Sequence, residues 1–283
     1  MHSKTIDLHT HTTASDGSMP PTELVRHAAE SGLSAIAVTD HDCTDGIDEA
    51  LEAGKRFGVE VIPAIELSVQ SATETHILGY YIDHKNEFLL DKLEEVRKIR
   101  RKRNREVCDK LNELGMPVSL EEVAKTATGR LFGSTHFAAV LVKKGYVSSM
   151  REAFEKYLGH GKPAHSDAQC LSPEDAIKLI KTAGGGAFLA HPHLIKIDNI
   201  ALNELIRQLK SFGLDGIEGY YTDYTPEMQE KFIGVAKEFD LMVSGGTDYH
   251  GIHKPHITIG KGLGDMSIPY SVLEKIKSKL NYN

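Results

Sequence analysis

Short apolar runs alternate with stretches of helical period along most of the chain. Runs at 5–8, 35–39, 60–64, 75–80, 187–190, 216–218 and 242–244 predict seven strands. The stretch after the first run starts at Pro20-Pro21 and stops at Gly32, and the next covers about 47–57 and stops at Gly58. Proline early and glycine just past the end are helix boundary signals. Ser172-Pro173-Glu-Asp175 adds an N-cap, a proline at the first helical position and an early acid. Strand and helix in alternation predict a parallel sheet with helices outside, as a barrel or a doubly wound sheet.

The alternation stops between about Asn86 and Pro163. Asn86 can cap a long helix ending at Gly115, with an apolar stripe of Leu89, Leu93, Val96, Val107, Leu111 and Leu114. Ser119-Leu-Glu-Glu122 and Ser149-Met-Arg-Glu152 are capping boxes, and residues 135–144 predict a further helix ending at Gly145. Residues 87–163 are therefore expected to form a helical insertion, a substrate lid, in a domain made of 1–86 and 164–283.

A chain of 283 residues with 40% hydrophobic content suffices for one large domain with an insert. The net charge of −7 argues against nucleic-acid binding by the surface as a whole, leaving a local basic patch open. Cys43, Cys108 and Cys170 are widely spaced and give no CxxC pair or disulfide framework, which fits a reducing cytoplasm. No apolar run approaches the roughly 18 residues a membrane span needs, and the N-terminus runs straight into a polar strand rather than a secretory signal. No obligate protein partner is readable.

The 15 histidines change the picture, because imidazole is the commonest metal ligand. His9 and His11 in Asp7-Leu-His-Thr-His11 share one face of a strand, and Asp16 follows in a Ser-Asp-Gly turn. Thr39-Asp40-His41-Asp42 ends the second run, Glu66 sits among apolar neighbours, and His76 opens the fourth run. Ala190-His191-Pro192-His193 follows the fifth run, and Asp248 and His250 repeat the i, i+2 spacing after Ser244-Gly-Gly. Singly, each has a bland reading: an exposed polar pair, an N-cap, a surface-facing carboxylate, a structural histidine. Together they are nine oxygen or imidazole donors without sulfur, a set that suits zinc, iron or manganese. They stand where ligand sites occur in α/β folds, beside strand ends. Asp40 is expected to orient a ligand imidazole from behind, and His193 either protonates a leaving group or is a partly exposed loop histidine.

On these residues the chain resembles the PHP family, the polymerase and histidinol phosphatase superfamily. The match carries His9-x-His11, Thr39-Asp-His41, Glu66, His76, Ala190-His191-Pro and Asp248-Tyr-His250. Gly145-Tyr-Val-Ser and Tyr157-Leu-Gly-x-Gly-Lys-Pro163 resemble the stand-alone phosphoesterases that include 3′,5′-nucleoside bisphosphate phosphatases. The resemblance implies a distorted (β/α)7 barrel holding two to three divalent ions (manganese, zinc or iron). It implies His9, His11, Glu66 and Asp248 on the first ion, and Asp16, His41 and His250 on the second. Glu66, His76 and His191 would hold the third, with Glu66 bridging.

Two departures bear on substrate rather than reaction. Family members of this subgroup often carry Gly-Arg-Pro-His where this chain has Gly133-Ser-Thr-His136, and Tyr224 stands where a histidine is common. Arg130 is a candidate to replace the missing arginine. The run Arg97-Lys-Ile-Arg-Arg-Lys-Arg103-Asn-Arg105 is either a solvated helix face or a grip on a second phosphate through Arg100, Arg103 and Asn104, with His136 nearby. The expectation is a metal-dependent phosphoesterase acting through a metal-bridging hydroxide. Its expected substrate is a small phosphorylated nucleotide, a 3′,5′-bisphosphate, or a short RNA 5′ end. The alternatives are histidinol-phosphate phosphatase and a non-catalytic, polymerase-associated metal-binding module.

Overall fold

The computed structural model describes residues 4–70, 75–127, 132–159, 161–166 and 171–282. Seven strands form at the seven expected places: β1 (Thr5–Thr10), β2 (Leu33–Val38), β3 (Glu60–Ser68), β4 (His76–Tyr80), β5 (Gly186–Leu189), β6 (Gly216–Tyr221) and β7 (Met242–Gly246). Hydrogen-bonded order follows sequence order from β7 to β1, and a two-residue β8 (Ile268–Pro269), absent from the sequence expectation, pairs antiparallel with β1. The ring closes where β7 meets β1: His11 N–H donates to Tyr249 O at 2.9 Å, and Thr10 bridges to Tyr249. Gly246 permits the closure, since a Cβ there would lie 2.3 Å from His9 N. The result is a nearly closed, distorted barrel with helices outside, among them α1 (Pro21–Glu30), α2 (Ile47–Phe57), α8 (Asn199–Ser211) and α9 (Pro226–Glu238).

The sheet is not wholly parallel, which corrects the expectation from strand–helix alternation. β4 runs antiparallel to both β3 and β5. Only residues 69–75 join β3 to β4, and a parallel crossover needs about a dozen or more. The reversal has a consequence for chemistry: it brings His76, the first residue of β4, opposite Ser68 at the far end of β3. The start of one strand thus joins the ends of the others on the same rim.

Alternation assigns the two faces of the barrel. Ile62, Ala64, Leu78, Tyr80, Phe188 and Ala190 pack inside with Ile6 and Leu8, and Val272, Leu273 and Ile276 of helix α10 (Ser271–Lys279) pack with them. Ile65, Leu67, Ile77 and Leu189 face outward to the surrounding helices. In β3 and β4 the inward parity continues to Glu66 and His76. In β1 a register shift between Asp7 and Thr10 interrupts the alternation, as bulges beside active sites do, and His9 and His11 reach the rim above Leu8.

Between β4 and α7 (Pro173–Thr182) lie α3 (Glu87–Glu113), α4 (Leu120–Ala124), α5 (Ser134–Lys143), α6 (Met150–Ala153) and a π-helical turn, Phe154–Leu158. They bury their own apolar cluster, including Val107, Leu111, Phe137, Leu141 and Leu158. The expected caps form: Asn86 accepts from Leu89 N–H, and the Ser119/Glu122 box is reciprocal. Ser149 caps Glu152 N–H, while the Glu152 carboxylate turns to Ser148 instead.

Candidate metal centre

Five imidazoles converge on one buried point, the Glu66 carboxylate. Its Oε2 lies 3.2 Å from His9 Nε2, 3.3 Å from His11 Nε2 and 3.2 Å from His41 Nδ1. Its Oε1 lies 2.8 Å from His76 Nδ1 and 3.0 Å from His191 Nε2. Asp248 Oδ1 stands 3.1 Å from His11 Nε2, 3.5 Å from His9 Nε2 and 3.3 Å from His250 Nδ1. Asp16, in the turn after β1, lies 3.3 Å from His250 Nε2 and 3.8 Å from His41 Nε2. The nine donors singled out in the sequence therefore meet at one rim.

Three subsets have ligand atoms close enough to share an ion: His9, His11, Glu66 and Asp248; His11, Asp16, His41 and His250; and His41, Glu66 and His76. The first matches the expected set. His11 stands with the second as well, and His41 with the third, where His191 approaches Glu66 from the other side.

The chemistry of the donors fits metal ions. Both ring nitrogens of His11 are buried without a hydrogen bond, although carboxylate oxygens lie near its Nε2. A buried polar atom left so is costly, and a cation between the groups would satisfy it. The imidazoles are also crowded, with ring centroids 4.1 Å apart for His11 and His250 and 4.7 Å for His11 and His41. Burial pushes the His11 imidazole down to about 4, so it stays neutral and able to ligate at pH 7. Burial opposes charge on Glu66 too, but His41, His9 and His76 hold its carboxyl well below the usual range. Asp248 is held low by Lys254, His250 and His9 against the same burial, and Asp16 by His41 and His250. For His9, burial is outweighed by Glu218, Glu66 and Asp248, and its pKa rises well above 6.5.

Backbone strain concentrates here. His191 has φ +27°, Asp42 +45° and Asp248 +54°, a region that non-glycine residues enter at a cost and that clusters at functional sites.

The other candidates occupy varied places. Asp40 accepts from Thr12 N–H, Thr12 Oγ1 and Ser15 Oγ at 2.6–2.8 Å. It thus holds the loop that carries Asp16, where it was expected to orient an imidazole. His193 lies on the short turn Pro192–Ile195, its ring 5.1 Å from Tyr221 and 5.2 Å from Tyr224. Arg100 pairs with the fully buried Asp42 and donates to Ser68 Oγ at 2.8 Å, so it joins α3 to the rim beside His41. Arg103 donates to Ser134 Oγ at 2.6 Å, at the start of α5. Asn104 donates to Phe132 O at 2.9 Å. His136 Nδ1 accepts from Gly133 N–H, and burial lowers its pKa while the Asp16 charge opposes that. Arg130 lies outside the described residues.

Several site residues went unread in the sequence. Asp7 accepts from Thr247 Oγ1, Thr247 N–H, Gly260 N–H and His9 N–H, tying β1 to the loops that follow β7. Tyr221 OH and Lys254 Nζ hold Asp248 Oδ2 at 2.7 and 2.5 Å, leaving Oδ1 to face the imidazoles. Glu218, buried in β6, contacts His9 and the backbone of His191. One signal was available for Glu218: it is a carboxylate in a strand between Ile217 and Gly219, the same context that singled out Glu66.

Known proteins resemble this chain in sequence and fold. A model of the PHP domain matches residues 7–217. A 5′-3′ exoribonuclease of Haemophilus influenzae is 37% identical over 96% of this chain and 99% of its own length. A 3′,5′-nucleoside bisphosphate phosphatase of Chromobacterium violaceum is 35% identical over 87% of each protein. A solved structure of an amidohydrolase from Chromobacterium violaceum, with bound sulfate and no metal, superposes with a TM-score of 0.85 at 32% identity, covering 97% of this chain and 96% of its own. With its barrel, its rim of imidazoles and carboxylates, and a family match over most of its length, the chain belongs to the PHP domain family of metal-dependent phosphoesterases.

Proposed function

We propose that this enzyme hydrolyses a phosphate monoester on a nucleotide that carries a second phosphate, a 3′,5′-nucleoside bisphosphate or the 5′ end of a short RNA. One observation carries the reading: His9, His11, His41, His76 and His191 converge on Glu66, with Asp16, Asp248 and His250 beside them. Such a set would hold two to three divalent ions of manganese, zinc or iron. Bound ions neutralise phosphate oxygens and make water reactive at neutral pH.

The chain's own residues do the rest. Glu66 presents one oxygen to His9, His11 and His41 and the other to His76 and His191, so it would serve as the bridge. Lys254 and Tyr221 keep Asp248 turned inward, and Asp40 steadies the loop of Asp16. His193 would protonate the leaving oxygen. Arg103 stands against Ser134, the position where related enzymes often carry their own arginine, and with His136 and Asn104 would receive the second phosphate. Arg100 contributes less charge, because Asp42 already neutralises it. Phosphorylated small molecules and short oligoribonucleotides are the expected partners. Cys43 and Cys108 are free and buried, consistent with a cytoplasmic setting, and among the described residues no helix is long and apolar enough to cross a membrane.

The test is a panel of 3′,5′-bisphosphates, short 5′-phosphorylated RNAs, histidinol phosphate and an aryl phosphate, assayed with manganese, with Glu66→Gln as the control. The expected result is a preference for the nucleotides. Losing a bridge worth several kcal/mol to metal catalysis means a fall of roughly two to four decades in kcat for Glu66→Gln. A preference for histidinol phosphate would reassign the substrate, and near wild-type activity in Glu66→Gln would remove the bridge.

A further inference from the structure

Glu218 is fully buried in β6, and no step above uses it. Its two carboxylate oxygens are divided between two residues of the metal centre. Oε1 accepts from His9 Nδ1 at 2.9 Å, and Oε2 accepts from the backbone N–H of His191 at 2.6 Å. On the other side of its ring His9 Nε2 faces Glu66 and Asp248, and the His191 ring turns its Nε2 to Glu66. His191 holds this pose with φ +27°, a conformation that needs an external restraint.

Given the metal-dependent reading, on which this rests, we propose that Glu218 is a positioning residue that sets two ligands at once. It fixes His9 with the proton on Nδ1, so that the Nε2 lone pair is aimed at the metal. It also restrains the His191 backbone in the left-handed turn that swings its ring inward. Among common side chains a carboxylate suits both tasks, because both of its oxygens only accept. A glutamine would meet one N–H with its oxygen and the other with its own NH2, setting donor against donor. Retaining a buried carboxylate with no lysine or arginine in an ion pair to it, among the described residues, is costly, and the imidazole it orients is its counterpart. Carboxylates behind metal-bound histidines work this way, but here one carboxylate serves a side chain of β1 and a strained backbone in the loop after β5.

Two measurements test the proposal. The first is manganese affinity by chelator competition, in wild type, Glu218→Gln, His9→Ala, His250→Ala and the two double variants. Glu218→Gln should weaken binding by roughly 10–100-fold. In the His9→Ala background its further effect should shrink, because the two act as a unit, whereas in the His250→Ala background the effects should multiply. Unchanged affinity in Glu218→Gln, or simple multiplication with His9→Ala, overturns the proposal. If wild type itself binds no manganese, the metal-dependent reading fails instead. The second measurement needs no variant: nitrogen–proton correlation spectra of the imidazoles in zinc-loaded wild type should place the His9 proton on Nδ1. A proton on Nε2 overturns the proposal even if Glu218→Gln does not fold.

Discussion

Burial acts on every ionisable group of the rim, yet the histidines end in different protonation states. His11 is driven to about 4 by burial and by the neighbouring His250, whereas His9 and His250 rise because carboxylates outweigh their burial. At pH 7 the metal-free protein thus holds a proton on His9 that ligation through Nε2 must expel, while His11 has none to lose. Manganese binding at pH 7 should release at least one proton per chain, and more as pH falls toward 5. Calorimetric titration in buffers of different ionisation enthalpy reads this release directly. A binding heat independent of buffer would mean that His9 is already neutral. The donors themselves were legible in the sequence because each is an unusual residue beside an apolar run, and their spacing repeats. Tyr221 and Lys254 were not, because each acts by holding another residue, and that work has no spacing; Glu218 offered only the signal of a carboxylate inside a strand. The same blindness touched Asp40, whose partners Thr12 and Ser15 lie 28 and 25 positions away.

At the scale of elements, period and capping placed the first seven strands and the helices up to α7 within a few residues, but not the helices Asn199–Ser211, Pro226–Glu238 and Ser271–Lys279, nor the direction of β4. Direction is set by the length of the link from β3, and strand periodicity is the same either way. The antiparallel β4 is also what gives His76 its place, so His76 was named as a donor without the topology that brings it to the rim. Helix α3 raises a different question, since its arginines read equally as phosphate grip and solvated face. The geometry separates them. Arg100 pairs with Asp42, which is fully buried, and removing one partner of a buried pair costs about 3–5 kcal/mol. Arg100→Ala should therefore lower the melting temperature by several degrees or more. Arg103 instead meets the hydroxyl of Ser134. Arg103→Ala should reduce catalytic efficiency for a 3′,5′-bisphosphate relative to an aryl phosphate by roughly one to two decades, the worth of a charged hydrogen bond. An unchanged ratio would return Arg103 to the packing of α3 against α5, and an unchanged melting point in Arg100→Ala would deny the latch between α3 and the rim.

Across the whole molecule, the candidate ligands run from His9 to His250 and come from β1, β3 and β4 and from the loops after β1, β2, β5 and β7. Closing the barrel gathers Asp16, Glu66 and Asp248 into one space with six imidazoles around them. Without cations, burial of the three carboxylates opposes that closure, and the two orphaned nitrogens of His11 add to the cost. Ions that bind the folded chain and not the unfolded one shift the equilibrium by RT ln(1 + [L]/Kd). For one site at 100 times its Kd that is about 2.7 kcal/mol, or roughly 5–10 °C in melting temperature for a domain near this size. Two independent ions would double it. Melting should therefore rise with manganese concentration, keep rising as weaker sites fill, and fall back when a chelator is added. Glu66→Gln should flatten the curve most, because its carboxylate borders two of the three candidate subsets. His250→Ala should remove only part of the rise. A wild-type melting point indifferent to manganese and chelator would mean that the imidazoles and carboxylates of the rim do not hold ions tightly enough to matter, and the phosphoesterase reading would fall with them.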